Sequence, residues 1–334
     1  MALELSPLAA DRIPEAAGLV DQWYGRARRA LPYLSARETG LPSGLELVQR
    51  RLSESGCVSA VAYERGAMAG FLVAAAQDLK PHEHAALHAH PRSAVVGLGG
   101  FAASAGREAE VLHELYVRVA ARLVAERRLT HYVWMPADDA VAMAWFRLGF
   151  GLEWVHGLMP VKARGRQPRE VGRLTIRRAG PSDGAPIGRM AVETARGYRQ
   201  SAAFAPQPDE ALTALRGHYT GALADPRSAA WIAVRGGEEV GMVVLTPAAP
   251  WPLVPPASVE LAEAFVAPSA RGEGVSRVLL ATALAWAYDN GYRYVSARWR
   301  SGSPGSAGHW PRIGFKPVGH GLVRVLDPRL QGAR

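Results

Sequence analysis

The sequence predicts an α/β protein of two similar domains in tandem, each with a mixed, mostly antiparallel central sheet flanked by helices. Three observations predict it. The chain has 334 residues, and at about 150 residues per domain that length suits two hydrophobic cores better than one. Its composition, 49% apolar and 21% charged, is that of a globular chain rather than a disordered or fibrous one. Finally, the sequence reads twice, with corresponding segments in the same order in each half.

The first copy opens with Leu3-Glu4-Leu5 and a turn to Asp11, the second with Leu174-Thr175-Ile176 and a turn to Asp183. Each is a short strand before a helix that the aspartate could N-cap. Residues 58–63, a turn at 64–67 and residues 70–73 correspond to 231–234, Gly236-Gly237 and 241–244, and both sets read as hairpins with alternating apolar positions. Near the end of each copy Trp145-Phe146-Arg147-Leu148-Gly149-Phe150 aligns with Trp310-Pro311-Arg312-Ile313-Gly314-Phe315. The offset is 172 at the aspartates, 171 at Gly70 and Gly241, and 165 at Gly149 and Gly314, a drift that differing loop lengths produce. Residues 162–173 are basic, contain Gly165, Pro168 and Gly172 and lack periodicity, which reads as a linker. The expected division is a first domain over 1–161, a linker over 162–173 and a second domain over 174–330.

In the second copy the pattern predicts a strand near 174–179, helices near 183–198 and 209–222, and strands near 229–235, 239–246 and 258–267. A helix near 275–290, a strand near 293–299, a short helix before Gly314 and two final strands within 315–326 follow. This order places a sheet between layers of helices. On the same template the first copy has its fourth strand over 94–101 and its next helix over 107–128, where Val111, Leu112, Leu115, Val119 and Leu123 form one apolar stripe.

A single cysteine, Cys57, excludes an internal disulfide, a CxxC pair and a cysteine-ligated zinc. The first residues lack a basic segment followed by an apolar one, so no secretory signal is expected and a cytoplasmic location is. The longest uncharged run, between Glu239 and Glu260, is broken by five prolines, and no membrane span is expected. The net charge of +9 is uneven. Residues 1–161 carry 16 basic and 17 acidic residues, 162–173 carry 5 and 1, and 174–334 carry 18 and 12. A positive second half favours an anionic ligand, which a small polyphosphate or a nucleic acid would equally satisfy; plain solubility is the blander reading.

Residues 259–266 form a strand, followed by Ala267-Pro268-Ser269-Ala270-Arg271-Gly272-Glu273-Gly274-Val275-Ser276 and an apolar-periodic helix through Val278, Leu279, Ala283 and Trp286. Strand, glycine loop and helix together present unpaired backbone N–H groups and partial positive charge to an anion. The segment resembles the acyl-CoA signature of the GNAT superfamily of N-acyltransferases, [Gln/Arg]-x-x-Gly-x-[Gly/Ala]. Arg271 matches its first position and Gly274 its fourth, whereas Ser276 departs from the sixth. Val266-Ala267-Pro268, Ile313-Gly314-Phe315 and the order of elements from about 174 to 326 also fit that family. The resemblance implies acetyl-CoA as cosubstrate, held by Phe265, Val266, Arg271, Gly272, Gly274, Val275 and Ser276, with strand amides facing the thioester oxygen and no metal.

Direct transfer to an amine needs a base for the nucleophile and a weak acid for the departing thiolate. Six residues before Val266, Glu260 occupies the place of a strand glutamate that serves some family members as base. Glu263 has opposite parity and on a regular strand faces the other way. The family's usual acid, a tyrosine, is replaced by Trp310, whose indole N–H donates a hydrogen bond but cannot protonate a thiolate, which leaves His309, Tyr288 or solvent. The first copy has no such loop and is expected to prop or lid the second. Gly97-Leu98-Gly99-Gly100-Phe101-Ala102 fits GxGxxA only formally. His82, His84, His88 and His90 read as structural or solvated rather than metal ligands. Trp23, Tyr24 and Tyr33 beside Arg26, Arg28 and Arg29 read as an amphipathic helix lining a substrate cleft. The sequence thus points to an acetyl-CoA-dependent N-acetyltransferase acting on a primary amine of a small molecule or peptide, with no nucleic-acid partner. A sensor that binds acyl-CoA without turnover is the alternative.

Overall fold

Residues 3–30, 40–163, 174–248 and 251–330 are described by a computed structural model. The first copy runs β1 (Glu4–Ser6), α1 (Ile13–Ala30), α2 (Gly44–Leu52), β2 (Val58–Glu64), β3 (Ala67–Asp78), β4 (Arg92–Val96), β5 (Phe101–Ala103), α3 (Glu108–Ala125), β6 (Thr130–Pro136), α4 (Asp139–Arg147) and β7 (Gly151–Pro160). The second runs β8 (Leu174–Arg178), α5 (Gly184–Gln200), α6 (Asp209–Ala224), β9 (Ala229–Arg235), β10 (Glu238–Pro247), β11 (Ser258–Val266), α7 (Val275–Asp289), β12 (Tyr294–Arg300), α8 (Pro304–Ile313) and β13 (Lys316–Val325). The expected linker falls almost wholly outside the described residues.

Local chemistry accounts for the repeated segments. Both hairpins turn on two consecutive left-handed residues, Arg65-Gly66 in one copy and Gly236-Gly237 in the other, the turn whose twist matches its flanking strands. The two matching hexamers are helix ends. Gly149 and Gly314 adopt positive φ, and the N–H groups of Phe150 and Phe315 bond back to the carbonyls of Trp145 and Trp310, a glycine C-cap that drives the following phenylalanine into the core. The α3 stripe Val111, Leu112, Leu115, Val119 and Leu123 is fully buried. Asp183 does not cap α5 through its side chain; it accepts from Gly180 N–H at 2.9 Å and pairs with Arg177.

The strands form one sheet in the order β1-β2-β3-β4-β6-β13-β7-β12-β11-β10-β9-β8, with β5 paired to β3. Only the β4–β6 and β11–β12 pairs are parallel; the others are antiparallel, giving the expected mixed, mostly antiparallel architecture. The end of the chain differs from expectation. One ten-residue strand, β13, replaces the two predicted there, and it inserts between β6 and β7 of the first copy. Val318 and Leu322 of β13 pack into the first copy's core, while β7 pairs with β12 and joins the two halves. Helix α7 covers one face of the second copy's strands and α5 with α6 the other.

The first copy's fourth strand is also broken. β4 leaves the sheet at Val96, Gly97–Gly100 form a turn, and the chain returns as β5. Leu47 and Arg51 of α2 pack against the turn, and Gly99 N–H donates to Tyr24 Oη at 3.2 Å. Its polar groups are spent on the protein itself.

Candidate active site

Parallel pairing between β11 and β12 spans only Ser258–Leu261 against Tyr294–Ala297. Beyond it the strands part, and a cavity of about 890 Å³ opens between the two copies. Along β11, Glu263 pairs with Val244 while Leu261 pairs with the adjacent Leu245, so Ala262 is an extra, bulged residue. The bulge overturns the parity expectation for Glu263. One inserted residue between Glu260 and Glu263 restores both to the same side, and both line the cavity.

The two carboxylates are in different situations. Glu260 is held by Arg298, with Nε 3.1 Å from Oε1. Among the described residues Glu263 has no cationic partner. It accepts from the Tyr219 hydroxyl at 3.3 Å and from Ala264 N–H at 3.2 Å, and burial raises its pKa to about 7 against the stabilising pull of those bonds. Tyr219 is pushed upward in turn, by burial and then by the neighbouring Glu263.

At the mouth of the cavity the glycine loop leads into α7. Gly272 and Gly274 have φ of +82° and +81°, with open space where a Cβ would project, and Gly274 is the N-cap of α7 without any side-chain cap. The amides of Ala267, Ala270 and Arg271 are bonded within the chain, whereas among the described residues no acceptor is paired with those of Gly272, Glu273, Gly274, Val275 or Ser276. The nearby acid is neutralised, since Glu273 pairs with Arg235, and Arg271 Nε donates to Val266 O at 3.2 Å. Phe265, Val266, Arg271, Gly272, Gly274, Val275 and Ser276 all line the cavity. The equivalent helix start in the first copy is different: α3 carries Glu108 and Glu110 in its first turn, and Arg107 is tied to Glu64 and Glu110. That end repels an anion.

On the α8 wall, Trp310 and His309 line the cavity; burial, and then Arg277 and Arg312, lower the histidine's pKa. Tyr288 is exposed at the far end of α7 and takes no part. Tyr198, at the end of α5, faces the cavity and is raised to about 12 by burial. Nothing local in the sequence distinguishes it; only the packing of α5 over β11 brings it in. The four histidines between residues 82 and 90 divide. His84 and His88 line the cavity with their Nε2 atoms 3.3 Å apart, and His82 and His90 are exposed. Trp23 and Tyr24 do not line a cleft: both are core residues, with Trp23 Nε1 donating to Asp138 at 2.9 Å. Tyr33 lies outside the described residues.

Residues 192–315, which include the loop, the bulged strand and the α8 wall, match the Acetyltransferase (GNAT) family. The whole chain is similar in fold to a GCN5-related N-acetyltransferase from Sphaerobacter thermophilus, at 15% identity and a TM-score of 0.58 over 98% of this chain and 97% of that one. It is also similar to the glucosamine N-acetyltransferase region of a fungal multi-domain GH3 beta-N-acetylglucosaminidase, at 14% identity and a TM-score of 0.55 over 96% of this chain and 38% of that one. A tandem GNAT protein from the clavulanic acid biosynthesis pathway aligns over 98% of this chain and all of its own at 16% identity and a TM-score of 0.46. No curated protein sequence matches the chain. Acyl transfer is the chemistry of the family that residues 192–315 match. No helix among the described residues is long and apolar enough to cross a membrane.

Proposed function

We propose that the chain is an acetyl-CoA-dependent N-acetyltransferase whose second copy holds the coenzyme and acetylates a primary amine of a small molecule or peptide. The observation that carries this reading is the run of five unpaired amides from Gly272 to Ser276 at the start of α7. Such a run, with the helix's partial positive charge behind it, suits a pyrophosphate. Ser276, at the position where the family has a glycine or alanine, is half-buried in the cavity lining.

The coenzyme, when bound, supplies an acetyl group activated as a thioester. The chain's own residues do the rest. Glu263, poised near neutral pH, would take a proton from the acceptor ammonium, and the neutral amine would then form the C–N bond as the C–S bond breaks and its electrons leave with sulfur, with one further proton to be shed from nitrogen before the amide is complete. Backbone N–H groups of β11 past the split stabilise the charge developing on the carbonyl oxygen. His309, which lines the cavity where Tyr288 does not and whose lowered pKa favours the neutral ring, would accept the second proton that the nitrogen sheds and pass it to sulfur. Glu260, paired with Arg298, holds the strand and the charge balance beside it.

Calorimetric titration with acetyl-CoA tests the reading. The parent protein should bind, and Arg271→Glu and Gly274→Asp should each weaken binding at least about tenfold, since each puts a negative charge where the phosphates lie. A parent that does not bind, or variants that bind as well, would overturn it. Trp310 favours a second reading, an acyl-CoA sensor without turnover, and thiol release on adding amines separates the two.

A further inference from the structure

The cavity has two chemically distinct ends. The second copy supplies all of its carboxylates, Glu193, Glu260 and Glu263. The first copy supplies ten lining residues, and none of them is Asp, Glu, Lys or Arg. Among these are Tyr132, Trp134 and Trp154, together with His84 and His88, whose pKa values are held near 4 and near 3, by burial first and then by neighbouring histidine and arginine charges. Both histidines are therefore neutral at physiological pH.

The strand exchange builds this end. Gly321 of β13 is in register with Trp134 of β6 on one side and with Trp154 of β7 on the other. A Cβ at Gly321 would come 2.8 Å from Trp134 Cζ3 and 3.0 Å from Trp154 Cβ, so the missing side chain is what lets the two indoles close over the strand. Trp154 is fixed by its neighbours: the Arg300 guanidinium lies 4.4 Å from its ring centre, and the His88 ring meets it edge to face at 5.4 Å.

We infer that the first copy forms the acceptor subsite and selects a monoamine borne on an aromatic ring, the ring resting among Trp134, Trp154 and Tyr132 and the amine directed at Glu263. This rests on the acyl-transfer reading of the same cavity. A polyamine or an amino acid would bring a second charge against a wall with no counter-charge, at an uncompensated desolvation cost. A flat apolar body loses nothing there and gains stacking area.

The test uses the full chain and two separate titrations. Calorimetry with tryptamine and phenethylamine, without coenzyme, should show at least tenfold tighter binding than butylamine or spermidine. Trp154→Ala, Trp134→Leu and Gly321→Val should each reduce tryptamine affinity about tenfold while acetyl-CoA affinity stays unchanged. Trp134 and Trp154 are only half-buried, so their variants remain informative if Gly321→Val fails to fold. Equal affinity across the amines, tighter spermidine binding, or unaltered tryptamine binding by the tryptophan variants overturns the inference. Ring preference without acetyl-CoA binding upholds the acceptor subsite and removes the transfer reading; acetyl-CoA binding without ring preference does the reverse.

Discussion

Replacing Glu263 with glutamine should separate the stability and activity of this protein as functions of pH. The side chain keeps its shape and its acceptor for Tyr219 and Ala264, and it loses only its ionisation. In the folded chain the carboxyl titrates near 7, from an ordinary value of 4.5, because it is buried without a cation. The groups packed around it, Tyr219 of α6, Tyr198 and Thr194 of α5 and the neighbouring Glu260, supply none. At about 1.4 kcal/mol per pH unit, that shift is worth about 3–4 kcal/mol. A raised folded-state pKa means that the folded protein binds the proton more tightly, so this stability is complete below 4.5 and is lost as pH rises through about 7. Urea unfolding should therefore give parent and Glu263→Gln similar stabilities near pH 5, and a variant more stable by about 3–4 kcal/mol near pH 8.5. Over the same range, kcat/KM for the parent should climb with a midpoint near 7, while the variant loses that limb and about a hundredfold or more in rate. Parallel stability curves for the two proteins would show that the carboxyl is not buried and uncompensated, and the assignment of Glu263 as base would fall with it.

Two further outcomes follow from the joint between the copies. Arg300 is 2% exposed, pairs with Glu153 of β7 and donates to Leu87 O at 3.3 Å. Arg300→Met should cost about 3–5 kcal/mol by leaving the Glu153 carboxylate buried and unpaired, and adding Glu153→Gln should recover most of the loss in urea midpoint. Leu322 of β13 is fully buried in the first copy's core, so Leu322→Ala should destabilise by about 2–5 kcal/mol. Hydrogen exchange should then quicken in β6 and β7, far from residue 322 in sequence, and acceleration confined to α8 and β12 would contradict the strand exchange.

Much of this architecture was legible in the sequence where the cause is local. Hairpins with left-handed turns, the apolar stripe of α3 and the helix-ending Trp-to-Phe hexamers all depend on residues a few positions apart. The glycine loop was legible for the same reason: Gly272 and Gly274 occur where only glycine adopts the backbone without strain. The features that escaped are those set by contacts distant in sequence. Parity on β11 assigned Glu263 to the wrong side because the bulge at Ala262 is imposed by pairing with β10, which no pattern within the strand announces. Trp23 and Tyr24 resembled a cleft-lining face because basic residues follow them, yet Trp23 packs against Phe101 and the Tyr24 hydroxyl accepts from Gly99 N–H in the Gly97–Gly100 turn. Tyr198, His84 and His88 became cavity residues only through the meeting of the two copies.

The strand exchange bears on why a copy without the glycine loop accompanies one that has it. Cut at 174, the second copy would expose the edge of β12 that β7 now covers, and β13 would have neither of its partners. An unpaired edge and a bare strand carrying Val318 and Leu322 are together an invitation to aggregate. The same insertion sets Gly321 between the two indoles, so the contact that closes the sheet also shapes the acceptor wall. The first copy has Glu108 and Glu110 at the start of α3 and a turn sealed by α2, which suit no anion, and neither role needs one. What the fold requires of that copy is a sheet edge and a wall of uncharged rings, and both survive without a cofactor loop.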